Sequence, residues 1–143
     1  MNSRRLIFVG TAAAAALLLG TGQASAAGDP STTVSIRTTD SGATGGTGIF
    51  WGDYNGHGQD NPEVLGACDK QSDGLRVYAS VGWVDSNGGV HAYKVEDTDG
   101  ANDVCGLKTL PNIADGTKVN FDVCLKNGAN GALRYCNEGT AVA

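Results

Sequence analysis

The stretch "LRVYASVGWVDSNGGVHAYKV", Leu75 to Val95, decides the fold. Alternation places Leu75, Val77, Ala79, Val81 and Trp83 on one face of a first strand. That period of two is the mark of a strand with one buried side. "DSNGG" supplies the turn, and the return strand sets His91, Tyr93 and Val95 beside the first row. A register one residue out of step would put Lys94 against Val81, because a one-residue slip exchanges the two faces of a strand. The apolar rows therefore specify one hairpin.

The same reading applies to "TKVNFDVCLK", where Val119, Phe121, Val123 and Leu125 share a face and Cys124 points away with Asn120 and Asp122. Setting Cys124 opposite Cys136 places Leu125 opposite Tyr135 and Gly128 opposite Ala132. This leaves Ala129-Asn130-Gly131 as a three-residue loop with a glycine for the left-handed position. Cys68 and Cys105 then pair by exclusion, around the first hairpin. No pair has C-x-x-C spacing, so zinc is a poor alternative to two disulfides.

Further strands are expected at 32–39, 48–54 and 103–110, and no segment after the leader carries a helical period. About seven or eight short strands, closely punctuated by turns, make an all-β chain: a single small antiparallel β-sandwich with two disulfides. Arg4 and Arg5, the apolar run Leu6–Leu19 and Ala24-Ser25-Ala26 mark residues 1–26 as a secretory signal peptide. Residues 27–47 read as a flexible N-terminal segment with one possible strand, and residues 48–143 as the β-sandwich domain. Export implies a secreted, extracellular protein, in keeping with oxidised cysteines.

Of 10 basic residues the leader carries two, and it carries none of the 15 acids, so the mature chain holds a net charge of −7. Such a surface repels phosphate backbones and anionic lipid. Neither nucleic acid nor, after leader cleavage, a membrane is expected as a partner, whereas an extracellular protein or a glycan fits.

"ACDKQSDGLRVYA", "LPNIADGTKVNFDVCLKNG" and the last cysteine in "RYCNEGTAVA" resemble a group of small secreted two-disulfide β-domain proteins of Streptomyces-type actinobacteria. The resemblance covers residues 64–143 and the alanine-rich leader. It implies a disulfide-linked β-domain and no particular activity.

The chemistry-bearing stretch is "WGDYNGHGQDNPE", Trp51 to Glu63. Asp53, Asn55 and Asp60 are oxygen donors on a glycine-rich loop, but Val64 stands where a calcium loop places its bidentate acid, and Glu63 falls one short. Weak calcium binding is the most this pattern allows, and no other cofactor is expected. Trp51 and Tyr54 would suit a sugar face, against the alternative that Trp51 belongs to a strand covered on both sides. A second acidic group, Glu96, Asp97, Asp99 and Asp103, reads either as a metal site or as a solvated turn before Cys105. His57 and His91 lie near no nucleophile motif, so no catalytic residue is assigned and His91 is expected to pack beside Trp83. The expected function is an exported, non-enzymatic module of structural or binding role. The alternative is a secreted enzyme inhibitor, or a weakly calcium-dependent glycan-binding module, acting through the 51–63 loop.

Overall fold

A computed structural model describes residues 32–41, 45–53, 62–102 and 104–143. The expected leader, residues 1–26, lies outside the described residues. Eight strands follow in chain order: β1 (Thr33–Arg37), β2 (Gly46–Trp51), β3 (Val64–Asp69), β4 (Arg76–Val84), β5 (Val90–Asp97), β6 (Gly106–Thr109), β7 (Lys118–Lys126) and β8 (Leu133–Val142). They form two antiparallel four-stranded sheets, ordered β1-β2-β3-β6 and β5-β4-β7-β8. The expected β-sandwich with its two disulfides is the observed architecture.

The hairpin that decided the fold has the expected register, with Val81 opposite Tyr93 and Trp83 opposite His91. Its inward row, Val77, Ala79, Val81 and Trp83, joins Val119, Phe121, Val123 and Leu125 of β7 in the core. Phe50, Leu65 and Ala67 face them from the first sheet, with Val34 and Ile36 at its margin. The sheets meet closely over β2. A Cβ on Gly46 would stand 2.5 Å from Val77, and one on Gly48 2.8 Å from Val123.

Cys68–Cys105 ties the end of β3 to the residue before β6, and Cys124–Cys136 ties β7 to β8. Each bridge joins neighbours within one sheet and not the two sheets, with Cα separations of 4.3 and 4.1 Å. The sandwich seams close by other means. Thr32 N donates to Val142 O, and Thr39 N to Tyr135 O, where β1 meets β8. On the opposite side Gly106 lies against the Glu96 backbone, where a Cβ would stand 2.5 Å from the carbonyl oxygen.

Three expectations need correction. The β7–β8 register shifts between Val123 and Leu125, so Leu125 faces Arg134 and not Tyr135. Tyr135 is the extra residue of a β-bulge and takes φ +51°, a conformation that costs a side chain but lets two residues oppose one. Gly131 turns instead against the Asn127 carbonyl, which leaves no room for a Cβ. The second correction is β3, a strand absent from the expectations: Val64 to Asp69 is buried on both faces and shows no alternation. Last, β2 is covered only on its inner side: Phe50 is fully buried, while Ile49 and Trp51 are half-buried on the outer face. The segment 27–47 supplies the anticipated strand as β1 and also Gly46 and Thr47 of β2, so the sandwich draws on residues before 48.

Candidate functional site

The outer face of the second sheet is hollowed. Alternation along β4 sends Tyr78, Ser80, Gly82 and Val84 outward, and the register sets Gly82 between Ala92 of β5 and Asn120 of β7. Small side chains in one cross-strand row lower the floor there. Three adjoining concavities share this floor. The largest, about 710 Å³, runs from Gly82 and Ala92 to Val84, Val90, Lys118 and Asp122. A second, about 420 Å³, extends over Ser80 toward Tyr78 and Lys94. The third, about 290 Å³, continues over Asn120 and Asp122 to Glu138 and Thr140 on β8. Together they make a trough crossing four strands, roughly 14 Å at about 4.8 Å per strand spacing.

The trough is polar along its floor and apolar at one end. Ser80 Oγ donates to Asp122 Oδ2 at 3.2 Å, and Asp122 stands directly opposite Glu138. Like charges opposite one another on a sheet are unfavourable, and among the described residues neither carboxylate has a cationic partner. Val84 and Val90, paired across the hairpin, are 58% and 81% exposed. At this end the hollow bends around the hairpin tip into a cleft of about 320 Å³ against Pro111, Ile113 and Thr117.

That tip is rigid for a stated reason. Asp85 Oδ1 accepts Asn87 N–H and Gly89 N–H at 2.8 Å each, and Gly88 takes φ +82° to close the turn. Asp85 Oδ2 lies 2.8 Å from His91 Nε2. The imidazole contact, followed by the two turn N–H groups, holds the Asp85 carboxyl below its usual range. His91 stacks on Trp83 with ring centroids 4.9 Å apart, and Tyr93 stacks on the same indole at 5.6 Å. His91 thus packs beside Trp83, as the alternation implied. Among the described residues no hydroxyl bonds to this histidine.

The residues singled out on the 51–63 loop are only partly visible. Tyr54, Asn55 and Asp60 lie outside the described residues. Trp51 lies across Gly66, where a Cβ would meet its ring at 2.7 Å beside Leu107, and Asp53 follows with φ +49°. Glu63 is turned inward: 1% exposed, it accepts Ile113 N–H on Oε2 at 2.9 Å and gives its carbonyl to Leu110 N–H. Burial raises its pKa, opposed by the Ile113 bond.

Asp97 corrects the solvated-turn reading of the second acidic group. It is 1% exposed, and its Oδ2 accepts Asp69 N–H at 2.8 Å, tying β5 to β3 across the sandwich. Burial pushes both Asp97 and Asp69 up. Asp99 is pulled down, first by a hydrogen bond with Asp97 and then by Asn102. Asp103 lies outside the described residues. Among the described residues no three Asp, Glu, His or Cys side chains converge as metal ligands.

No protein family, curated protein or solved structure matches the chain. The two disulfides are consistent with an oxidising environment. The trough was missed in the sequence because its residues read as an ordinary solvent face. The available signal was the outward row itself, in which Ser80, Gly82 and Ala92 leave no bulk beside Asn120 and Asp122.

Proposed function

We propose that this chain is an exported, non-enzymatic binding module whose ligand is an extended glycan strand lying in the trough of the second sheet. The observation that carries the reading is the continuity of the three concavities over Gly82, Ser80, Asn120 and Asp122. Hydroxyl, amide and carboxylate groups line this floor, which is the complement that sugar hydroxyls require. The volume of the main hollow lies within the range of small-ligand sites. Secretion follows from the leader and agrees with the disulfides.

The test fills the trough without touching the core. Gly82 has no neighbour for an added Cβ except His91 O at 3.3 Å, so Gly82→Val projects into the hollow. Mature protein is screened against immobilised neutral, acidic and amino polysaccharides. Binding is expected in wild type, lost in Gly82→Val at unchanged circular dichroism, and kept in Trp51→Ala. Loss in Trp51→Ala with retention in Gly82→Val would move the site to the 51–63 side. Absence of wild-type binding to all three classes would reject the glycan reading.

A further inference from the structure

We propose that the cleft beside the hairpin tip is a subsite for the acetamido group of an N-acetylated amino-sugar glycan. This subsite rests on the trough reading and deepens it, since cleft and trough share Trp83, Asp85, Ser86, His91 and Thr117. The two ends of the surface differ in chemistry. Toward β8 the trough is lined by Asp122, Glu138 and Thr140, all hydrophilic. The cleft, about 320 Å³, is walled instead by Trp83, Pro111, Ile113 and Ala114. An apolar recess at the end of a polar floor fits a hydroxylated chain that carries a small apolar substituent.

Both walls are held before any ligand arrives, which lowers the ordering cost of binding. On one side Asp85 clamps the tip, with its Oδ1 on two turn N–H groups. On the other, buried Glu63 accepts Ile113 N–H at 2.9 Å, and Thr117 N–H closes on Ala114 O at 3.0 Å. The Asp85 carboxylate can only accept, so it takes the Nε2 proton of the neutral His91 ring. Nδ1 is thereby left as a lone-pair acceptor, with no donor among the described residues. The Asn112 side chain lines the same cleft, is exposed, and makes no hydrogen bond among the described residues. Its amide supplies N–H donors. An acetamido group brings a methyl for the apolar wall, an N–H for His91 Nδ1 and a carbonyl for Asn112. A bare hydroxyl brings no apolar atom to that wall, and neither does a free amine.

Calorimetric titration of the mature protein with β-1,4-linked N-acetylglucosamine tetramers and glucose tetramers of the same linkage tests the subsite. The acetylated tetramer is expected to bind at least about tenfold more tightly, the scale of a methyl-sized group in an apolar recess. In Trp51→Ala, Trp83 is the remaining tryptophan of two, and its emission is expected to shift on binding that tetramer. Asn112→Ala, and His91→Phe, which keeps a ring against Trp83, are each expected to cut the preference severalfold with glucose-tetramer binding unchanged. Asn112 bonds to no described residue, so its variant keeps the fold even where His91→Phe does not. The proposal is overturned if the two tetramers bind equally, if the preference survives in Asn112→Ala and in folded His91→Phe, or if Trp83 emission is unmoved at saturation. In those cases the trough reading stands. Binding of neither tetramer also overturns the proposal, and the trough reading falls with it only if acidic and amino polysaccharides fail to bind as well.

Discussion

Removing the two disulfides separately should cost unequal amounts of stability, in an order set by the loops they close. Cys68–Cys105 spans 37 residues and Cys124–Cys136 spans 12. The loop-entropy relation assigns them about 3.8 and 2.8 kcal/mol at 25 °C. Each pair includes one half-cystine that is 2% exposed, Cys68 or Cys124, so the packing lost with sulfur is similar and the difference of about 1 kcal/mol survives. Non-reducing peptide mapping checks the pairing first. Urea unfolding of Cys68→Ala/Cys105→Ala and Cys124→Ala/Cys136→Ala then reads the two losses. With a slope of about 2 kcal/mol/M, the midpoints should fall by roughly 1.9 and 1.4 M. A larger loss for the Cys124–Cys136 pair would refute the argument. It would mean that the bulged β7–β8 hairpin depends on its bridge for native geometry, beyond the entropy of the unfolded chain.

Two further outcomes follow from packing and from burial. Gly48→Ala forces a methyl to within 2.8 Å of Val123 and should destabilise the domain by about 1–3 kcal/mol, read as a lowered urea midpoint at unchanged slope; a neutral result would contradict the close approach of the sheets. Glu63, Asp69 and Asp97, whose folded pKa values are raised above 4.5, 3.8 and 3.8, make the fold less stable at neutral pH. That cost is relieved as pH falls from neutral toward those ordinary values, because the folded state takes up protons first. Asp85 and Asp99 act oppositely: their contribution is present above 3.8 and is lost below it as pH passes through their lowered values. Urea midpoints measured against pH should therefore pass through a maximum on the acidic side of neutrality, and Asp97→Asn should flatten the rise; a monotonic fall from pH 7 would refute the burial of these acids.

Where alternation held, the sequence was readable. The rows of β4 and β5, the row of β7 and the cysteine opposite Cys136 all came from a period of two. β3 did not, because its outer face is also covered: Trp51 lies over Gly66, and Cys68 is in its bridge, so Val64 to Asp69 has no polar side to alternate with. The bulge at Tyr135 was invisible, since an extra residue changes register without changing composition. The buried acids were legible and were passed over. Carrying the row Tyr93, Val95 one step further lands on Asp97. Extending the row Leu65, Ala67 both ways lands on Glu63 and Asp69. Each of the three accepts a backbone N–H at an end of the sandwich, so a carboxylate in phase with the core here marks an end tie and not a solvated turn.

Glycines obey the same parity, and it assigns them opposite work. Gly46 and Gly48 point inward on β2, where Val77 and Val123 occupy the space a side chain would take. Their smallness lets the sheets approach, and larger residues there would push the layers apart. Gly82 points outward on β4, where an added Cβ would meet only a backbone oxygen. Packing demands a glycine less strictly there than at Gly46 or Gly48, since a single backbone oxygen at 3.3 Å would have to give by a few tenths of an ångström, and a glycine in a strand interior weakens the strand by roughly 0.5–1 kcal/mol relative to alanine. Under the proposed binding role, a residue that costs stability and leaves a hollow beside Ser80, Ala92 and Asn120 makes room for a ligand. This is why the trough, and not the better-packed face bearing Trp51, is the surface on which binding should first be sought.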